Sequence, residues 1–463
     1  MRYIAMFAAV LSAGISGFCT EPAVLDLNRC LAIALAESPT VKVADMEVKR
    51  VDYSRKEVIG QLLPNIDFSG QYSRTLAKQT MYMSMDGFGS LGGDSNEESS
   101  QSRASSSSDG GIKVGLDNSY SLGFQASMPI IAPQLWQSIK LSDQQILRNV
   151  EASRQSRLQL INQVKNAFYT LLLAEDSRKV IQESFDMAKL TYDTYSKQYA
   201  LGAASDYDVL RTSVAMKNIE PQLMQADISI KQARLQLLIL MGVDSSFDFT
   251  ITDKLSNYED SMYGDVLAIN PDYSQNMDLR LMDIDTDMLR RTLKIQKLAY
   301  SPTLALTANY NWTSMNNGSP FKNLRWNPYS AIGVSLSVPI FSGGQRFSKV
   351  KQAELQVEEM KWQRENLDRS INMQVQVAID NIKMNVKQIA SCAESVGQAE
   401  RAHNIQEQSF DIGATSYLNL RDSELALTQA RLAYYQAIYN FLIANSDLEL
   451  LLGNAPIDKY TNK

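Results

Sequence analysis

The chain holds one histidine, three cysteines and a short run of alternating methionines, and these residues bound the chemistry open to it. His403 falls inside a long helical stretch. A nucleophilic triad or a zinc site would need partners for it that the sequence does not place nearby. Met81, Met83 and Met85 are soft ligands of the kind that hold Cu(I), but the same alternation fits the apolar side of a strand end. Cys30 and Cys392 lie far apart and read as buried free thiols rather than a bridge. No glycine-rich phosphate motif is present. Acidic residues are dispersed along helical stretches, so a pair of carboxylates is the only hydrolytic chemistry left open. The expectation is therefore no catalytic centre, no metal site and no cofactor. A net charge of −6 gives no electrostatic basis for binding nucleic acid.

Other residues recur at a fixed interval. Gly202 and Gly413 are 211 positions apart, and so are Gly242 and Gly453. Met128-Pro129-Ile130 opens the first copy and Val338-Pro339-Ile340 the second, the prolines being 210 apart. Self-similarity at one offset marks a duplicated structural unit. Gly202 and Gly413 suit the left-handed turn that ends a helix, and Ser205 and Ser416 suit the N-cap of the next.

The elements that carry these turns are long. No Pro or Gly interrupts the chain from Pro133 to Tyr199, which as a helix spans about 100 Å. The counterpart, from Gln345 to Asp411, holds only Gly397. The following helix repeats Val209, Met216, Leu223, Ile230 and Leu237 every seven residues, with Ile219, Ala226, Ala233 and Leu240 as a second seam. Pro221 is expected to kink or break it. Leu418, Leu425 and Leu432 keep the same spacing in the second copy. Each repeat thus reads as helix, two strands, long helix, turn, helix. The first spans 20–242, with strands at about 65–80 and 117–130 and helices at 133–200 and 203–241. A linker at 243–262 follows. The second repeat spans 263–453, with helices at 271–300, 345–411 and 415–452 and strands at about 302–314 and 328–340. Residues 454–463 form a tail.

The strands alternate strictly. Ile66, Phe68, Gly70 and Tyr72 oppose Asn65, Asp67, Ser69, Gln71 and Ser73; Leu304, Leu306, Ala308, Tyr310 and Trp312 oppose Thr303, Ala305, Thr307, Asn309 and Asn311. Period-two alternation marks a sheet with one apolar and one polar face, in a soluble sandwich or in a membrane barrel. Residues 1–19 have the pattern of an export signal: Arg2, an apolar run from Ile4 to Leu11, then small residues. Cys19 raises lipidation, although Phe18 before it is a poor fit. No helical membrane span follows. The Ser/Gly/Asp-rich stretch 86–111 reads as a loop. Four strands close no barrel alone, so entry into a membrane requires several copies.

With these features, the chain resembles the TolC-like outer-membrane factors of bacterial efflux and secretion. The resemblance rests on the duplication, on the strand-to-helix run Val338-Pro339-Ile340-Phe341-Ser342-Gly343-Gly344 with its counterpart at Pro129, and on the paired turns at Gly202 and Gly413. The run from Asp26 to Leu31 resembles the N-terminal start seen in Bacteroidetes members. It implies a mixed α and β fold: a homotrimer whose twelve strands form an outer-membrane barrel, continuous with a periplasmic helical barrel of coiled-coil hairpins. It also implies a periplasmic adaptor and an inner-membrane pump of RND or ABC type as partners, with outer-membrane lipid around the barrel and no enzymatic role. The hairpin tips would dock the adaptor, through Gly202, Ser205, Gly413 and Ser416, and close the tunnel. The family's acidic tip positions fall here on Asp208, Asn419 and Asp422, so one of three is uncharged. Thr415 stands where a basic residue is expected. Arg211 is a candidate substitute partner for Asp208 or Asp422. Tyr199 and Phe410 keep the aromatic position before each glycine. The exit duct of a type I protein secretion system is the alternative within the family. A secreted coiled-coil structural protein is the alternative outside it.

Overall fold

A computed structural model describes residues 23–81, 112–258 and 272–453. The export signal, Cys19, Met83, Met85, the Ser-rich stretch and the tail lie outside these residues. The chain divides into two units. One comprises Tyr53–Asp143 and Arg290–Glu354, and the other the remainder.

The first unit is built on a four-stranded antiparallel sheet. Its strands are β2 (Asn65–Arg74), β5 (Asn118–Ile131), β7 (Thr303–Asn316) and β8 (Asn327–Ser337), in the order β2-β5-β7-β8. Each repeat supplies one hairpin, and the repeats join where β5 pairs with β7. Ile66, Phe68 and Tyr72 lie across from Ala126, Phe124 and Tyr120, which lie across from Ala308, Tyr310 and Ser314. The alternate positions align Asp67, Gln125 and Asn309, and then Gln71, Ser121 and Thr313. The register therefore sorts the side chains into one apolar and one polar face, because a shift by one residue would exchange them. The apolar face is open to solvent in the single chain; Ile332 is 77% exposed. The outer strands β2 and β8 each pair on one side only.

Several boundaries differ from the sequence expectation. The first strand stops at Arg74 rather than near 80; beyond it, β3 (Gln79–Met81) pairs separately with β4 (Ile112–Val114). Pro129 does not end its strand. β5 continues to Ile131 past a register shift between Pro129 and Ile131, the kind of irregularity that accommodates a residue without an N–H. The second copy differs: β8 stops at Ser337, before Pro339, and Gly343 and Gly344 take φ of 59° and 78° immediately before the next helix.

The second unit is helical. Its long elements are α3 (Pro133–Ala200), α4 (Asp206–Met241), α6 (Gln345–Asp411) and α7 (Tyr417–Leu452), of which α3 and α6 begin in the sheet unit. α1 (Leu27–Glu37), α2 (Pro39–Gly60) and α5 (Met277–Leu298) are shorter. α5 starts six residues later than expected because Asn276, not Pro271, caps it: Asn276 Oδ1 accepts from the N–H groups of Asp278 and Leu279 at 3.0 and 3.2 Å. The expected linker also holds structure. β6 (Phe249–Ile251) pairs in parallel with β1 (Ala23–Leu25), and a 3₁₀ turn follows at Leu255–Tyr258. Phe168, Leu171 and Leu172 of α3 pack there with Leu237 and Met241 of α4, Leu31 of α1, and Phe249 and Ile438. Cys30 is buried in this core, and burial first, then Asp26 and Asp253, push its thiol up to about 12. It stays protonated and inert. Cys392 is free but only partly buried.

Of the two seams read on α4, Ile219, Ala226 and Ala233 are buried, and Thr212 extends that seam one heptad toward the tip. The helix runs through the exposed Pro221 without a break. α7 buries Tyr417, Leu420, Glu424 and Leu427, so the expected Leu418 and Leu425 seam instead stays outside, each about half exposed.

Candidate functional site at the hairpin tips

Both tips turn the same way. Gly202 and Gly413 have φ of 74° and 72°, and nothing lies within 4 Å of the position a Cβ would take. Backbone conformation, not crowding, selects glycine there. In each turn the N–H of the residue after the glycine reaches back: Ala203 to the Gln198 carbonyl at 2.8 Å, and Ala414 to that of Ser409 at 2.7 Å.

Beyond the turn the tips diverge. At the first, Ser205 caps α4 in a reciprocal box. The Asp208 N–H donates to Ser205 Oγ at 3.2 Å, Ser205 Oγ donates to Asp208 Oδ2 at 2.6 Å, and the Ser205 N–H reaches the same oxygen at 3.4 Å. The carboxylate expected at the pore thus also holds its own helix start, near the positive end of the helix dipole. At the second tip Ser416 occupies the N-cap with an extended backbone but makes no side-chain capping bond. Asn419 stands in place of the aspartate, and its Nδ2 donates to Thr415 Oγ1 at 3.1 Å. Thr415 Oγ1 in turn donates to Gln406 Oε1 at 3.1 Å. Polar, uncharged bonds replace the capping box.

Arg211 pairs with neither Asp208 nor Asp422 within the chain. Its guanidinium lies over the Tyr417 ring, 5.3 Å from the centroid. Asp422 is exposed, with no ion pair or side-chain hydrogen bond among the described residues. Phe410 packs against Tyr195 at 6.4 Å, and Tyr195 against Tyr417 at 5.8 Å. Tyr199 is half exposed. An aromatic contact between Tyr195 and Tyr417, clamped by Arg211, therefore joins the two hairpins. Sequence reading missed both tyrosines, although Tyr195 lies one helical turn before Tyr199.

Sequence reading also missed a polar cluster behind the second tip. His403 and Glu424 are each 5% exposed and line a cavity of about 150 Å³ with Thr191, Tyr195, Phe410 and Leu420. Ser423 Oγ donates its hydrogen to the Leu420 carbonyl at 2.6 Å. The 3.3 Å contact between His403 Nδ1 and that oxygen is then assigned as donation by the ring. Burial pushes the Glu424 carboxyl above its usual range, opposed by Arg421, whose Nη1 lies 3.1 Å from Glu424 Oε2. Among the described residues, no three His, Cys, Asp or Glu side chains are grouped to hold a metal ion.

Comparison with known proteins bears on this arrangement. The outer membrane efflux protein family matches residues 31–243 and 273–454, one segment per repeat. The outer membrane protein TolC of Vibrio cholerae is 21% identical over 335 residues, 72% of this chain and 76% of that protein. The cobalt-zinc-cadmium resistance protein CzcC of Cupriavidus metallidurans is 23% identical over 294 residues, covering 63% and 67%. Among solved structures, the CmeC outer membrane channel of Campylobacter jejuni superposes with a TM-score of 0.70 at 17% identity, over 97% of this chain and 93% of that one.

Proposed function

This chain belongs to the outer membrane efflux protein family, and we propose that it works as a homotrimer whose hairpin tips form the periplasmic gate. It is the outer-membrane channel component of an efflux or export system. The observation that carries assembly from several copies is the sheet, with four strands, segregated faces and two one-sided outer strands; the number three follows from the family. Such edges are not tolerated in lipid, where every backbone N–H and C=O needs a partner. Three copies joined β2 to β8 close the sheet into twelve strands. The exposed Leu418 and Leu425 stripe on α7, with Val377 and Met384 on α6, gives the rods apolar surface for neighbouring copies.

At the tips, Asp208 and Asp422 from each copy would form a ring of carboxylates. Like charges gathered in a narrow mouth concentrate negative potential, attract divalent cations and favour cationic permeants. Asn419 adds no charge to the ring. Arg211, bound to Tyr417 within its own chain, is placed to latch one hairpin to the other. Gly202, Ser205, Gly413 and Ser416 shape the tips that a periplasmic adaptor would grip, with an inner-membrane pump behind it. Small-molecule efflux is the reading we favour over protein export.

The test is single-channel conductance in planar bilayers. Asp208→Ala with Asp422→Ala should relieve block by divalent cations and reduce cation selectivity. Unchanged block would remove both residues from the pore. A protein recovered from cells as a soluble monomer would sink the channel assembly itself.

A further inference from the structure

The loop at 317–326 joins β7 to β8 at the end of the sheet where strands turn back on one another. It folds outward over the apolar face. Tyr120 belongs to that face, in register with Leu122 and Phe124, and Phe321 covers it: the Phe321 ring lies 5.4 Å from Tyr120 and 5.7 Å from Tyr72. The Phe321 N–H donates to the Tyr120 hydroxyl at 3.0 Å, and Trp326 meets the same ring edge-on at 6.5 Å. Tyr120 is only 5% exposed, whereas Phe124 on the same face is 46% exposed. Asn118 fastens the loop base through Asn316 Oδ1 at 3.0 Å and the Gly318 carbonyl at 3.1 Å. Asn316 Nδ2 holds the Lys322 carbonyl at 2.5 Å.

This placement is costly. Phe321 and Asn323 have φ of 63° and 54°, the only non-glycine residues with positive φ among those described. A strained backbone outlier persists where surrounding contacts enforce it, and it points to function. The loop contains Lys322 and Arg325 and no acidic residue. Both cations are exposed and neither has an ion pair among the described residues. The nearby Lys78, by contrast, is neutralised by Asp117 at 3.0 Å. Tyr, Trp and Phe at the rim of an apolar face mark the interfacial belt of a membrane barrel. Two exposed cations on a loop whose backbone is anchored just beyond such a belt match the phosphate of a lipid headgroup.

We propose that the loop at 317–326 is a clamp for phosphate-bearing lipid in the outer leaflet, with Lys322 and Arg325 holding the phosphate and the Phe321 stack fixing their position. The proposal rests on the outer-membrane reading above. The experiment incubates the purified trimer with vesicles of neutral phosphatidylcholine containing phosphorylated or dephosphorylated lipid A. Retained lipid is then counted by native mass spectrometry. The wild-type protein should retain the phosphorylated form. Lys322→Gln with Arg325→Gln should weaken retention about 30-fold while conductance in planar bilayers stays as in the wild type. Phe321→Gly, which relieves the strained φ but deletes the stack, should lower retention as well. Equal retention by the double variant would overturn the clamp. So would equal retention of dephosphorylated lipid A, or displacement by millimolar inorganic phosphate alone. If the wild-type trimer forms no conducting channel, the outer-membrane reading fails and this inference with it.

Discussion

The two hairpin tips share a turn and differ in what holds them. The first is secured locally, by the Ser205 and Asp208 box within four residues. The second lacks that box and is secured from behind, by Arg421, Glu424 and His403 packed between helices. At the matching positions 211 residues earlier the first tip has Leu210, Ser213 and Tyr192. Duplication thus preserved the backbone path and let the stabilising chemistry diverge. A tip held by local bonds can swing as a unit, whereas a tip held by buried charge responds to its packing. That contrast suits a gate with one steady and one responsive leaf.

Four experiments test the contrast. The largest effect belongs to the second tip. Arg421→Ala leaves Glu424 buried without its counter-charge and should cost about 3 kcal/mol, read as faster amide exchange in α7 with the first tip unchanged. Ser205→Ala should cost about 1 kcal/mol in the first tip, whereas Ser416→Ala, with no capping bond to lose, should cost nearly nothing; thermal unfolding of the two variants compares them directly. Asn419→Asp would complete a capping box with Ser416 and should stabilise the second tip by about 0.5 kcal/mol, narrowing the difference in exchange between the leaves. The smallest effect is a pH slope, since Arg421 and His403 oppose part of what burial does to Glu424. A carboxyl raised in the folded state binds more protons there than when unfolded, so stability is fully present below the unfolded value and is lost as pH rises. Above about 4.5, its ordinary value, the second tip should loosen as rising pH titrates the folded carboxyl. Glu424→Gln should flatten that slope, and exchange at the first tip should show none.

Much of the fold was legible because Pro and Gly punctuate it. α3 and α6 begin and end at the residues read from the sequence, where Pro133 and the turn glycines mark them. The four barrel-type strands were legible from alternation. β1 and β6 were not: three residues carry no period, and their partner lies more than 200 positions away. The start of α5 was not legible at Pro271, because the Asn276 side chain sets it. At the candidate site, spacing from the glycines picks out positions but not their contacts. Arg211 was expected to meet a carboxylate and meets Tyr417 instead, since which faces of two hairpins touch depends on packing rather than spacing. His403, the one histidine, and Glu424, unremarkable in sequence, come together only through the fold.

The seam between β5 and β7 carries a consequence for biogenesis. It pairs Asn118 with Asn316, residues separated by the whole first pair of rods. An exported chain emerges N-terminal end first, so the β2–β5 hairpin must wait with its inner edge bare until β7 arrives. Contacts this distant in sequence form slowly, because the entropy of closing so long a loop is met before any pairing rewards it. Until β7 arrives, the bare inner edge of β5 is exposed to aggregation. A pulse-chase should find the β2–β5 hairpin protease-sensitive until chains long enough to include β7 have been exported.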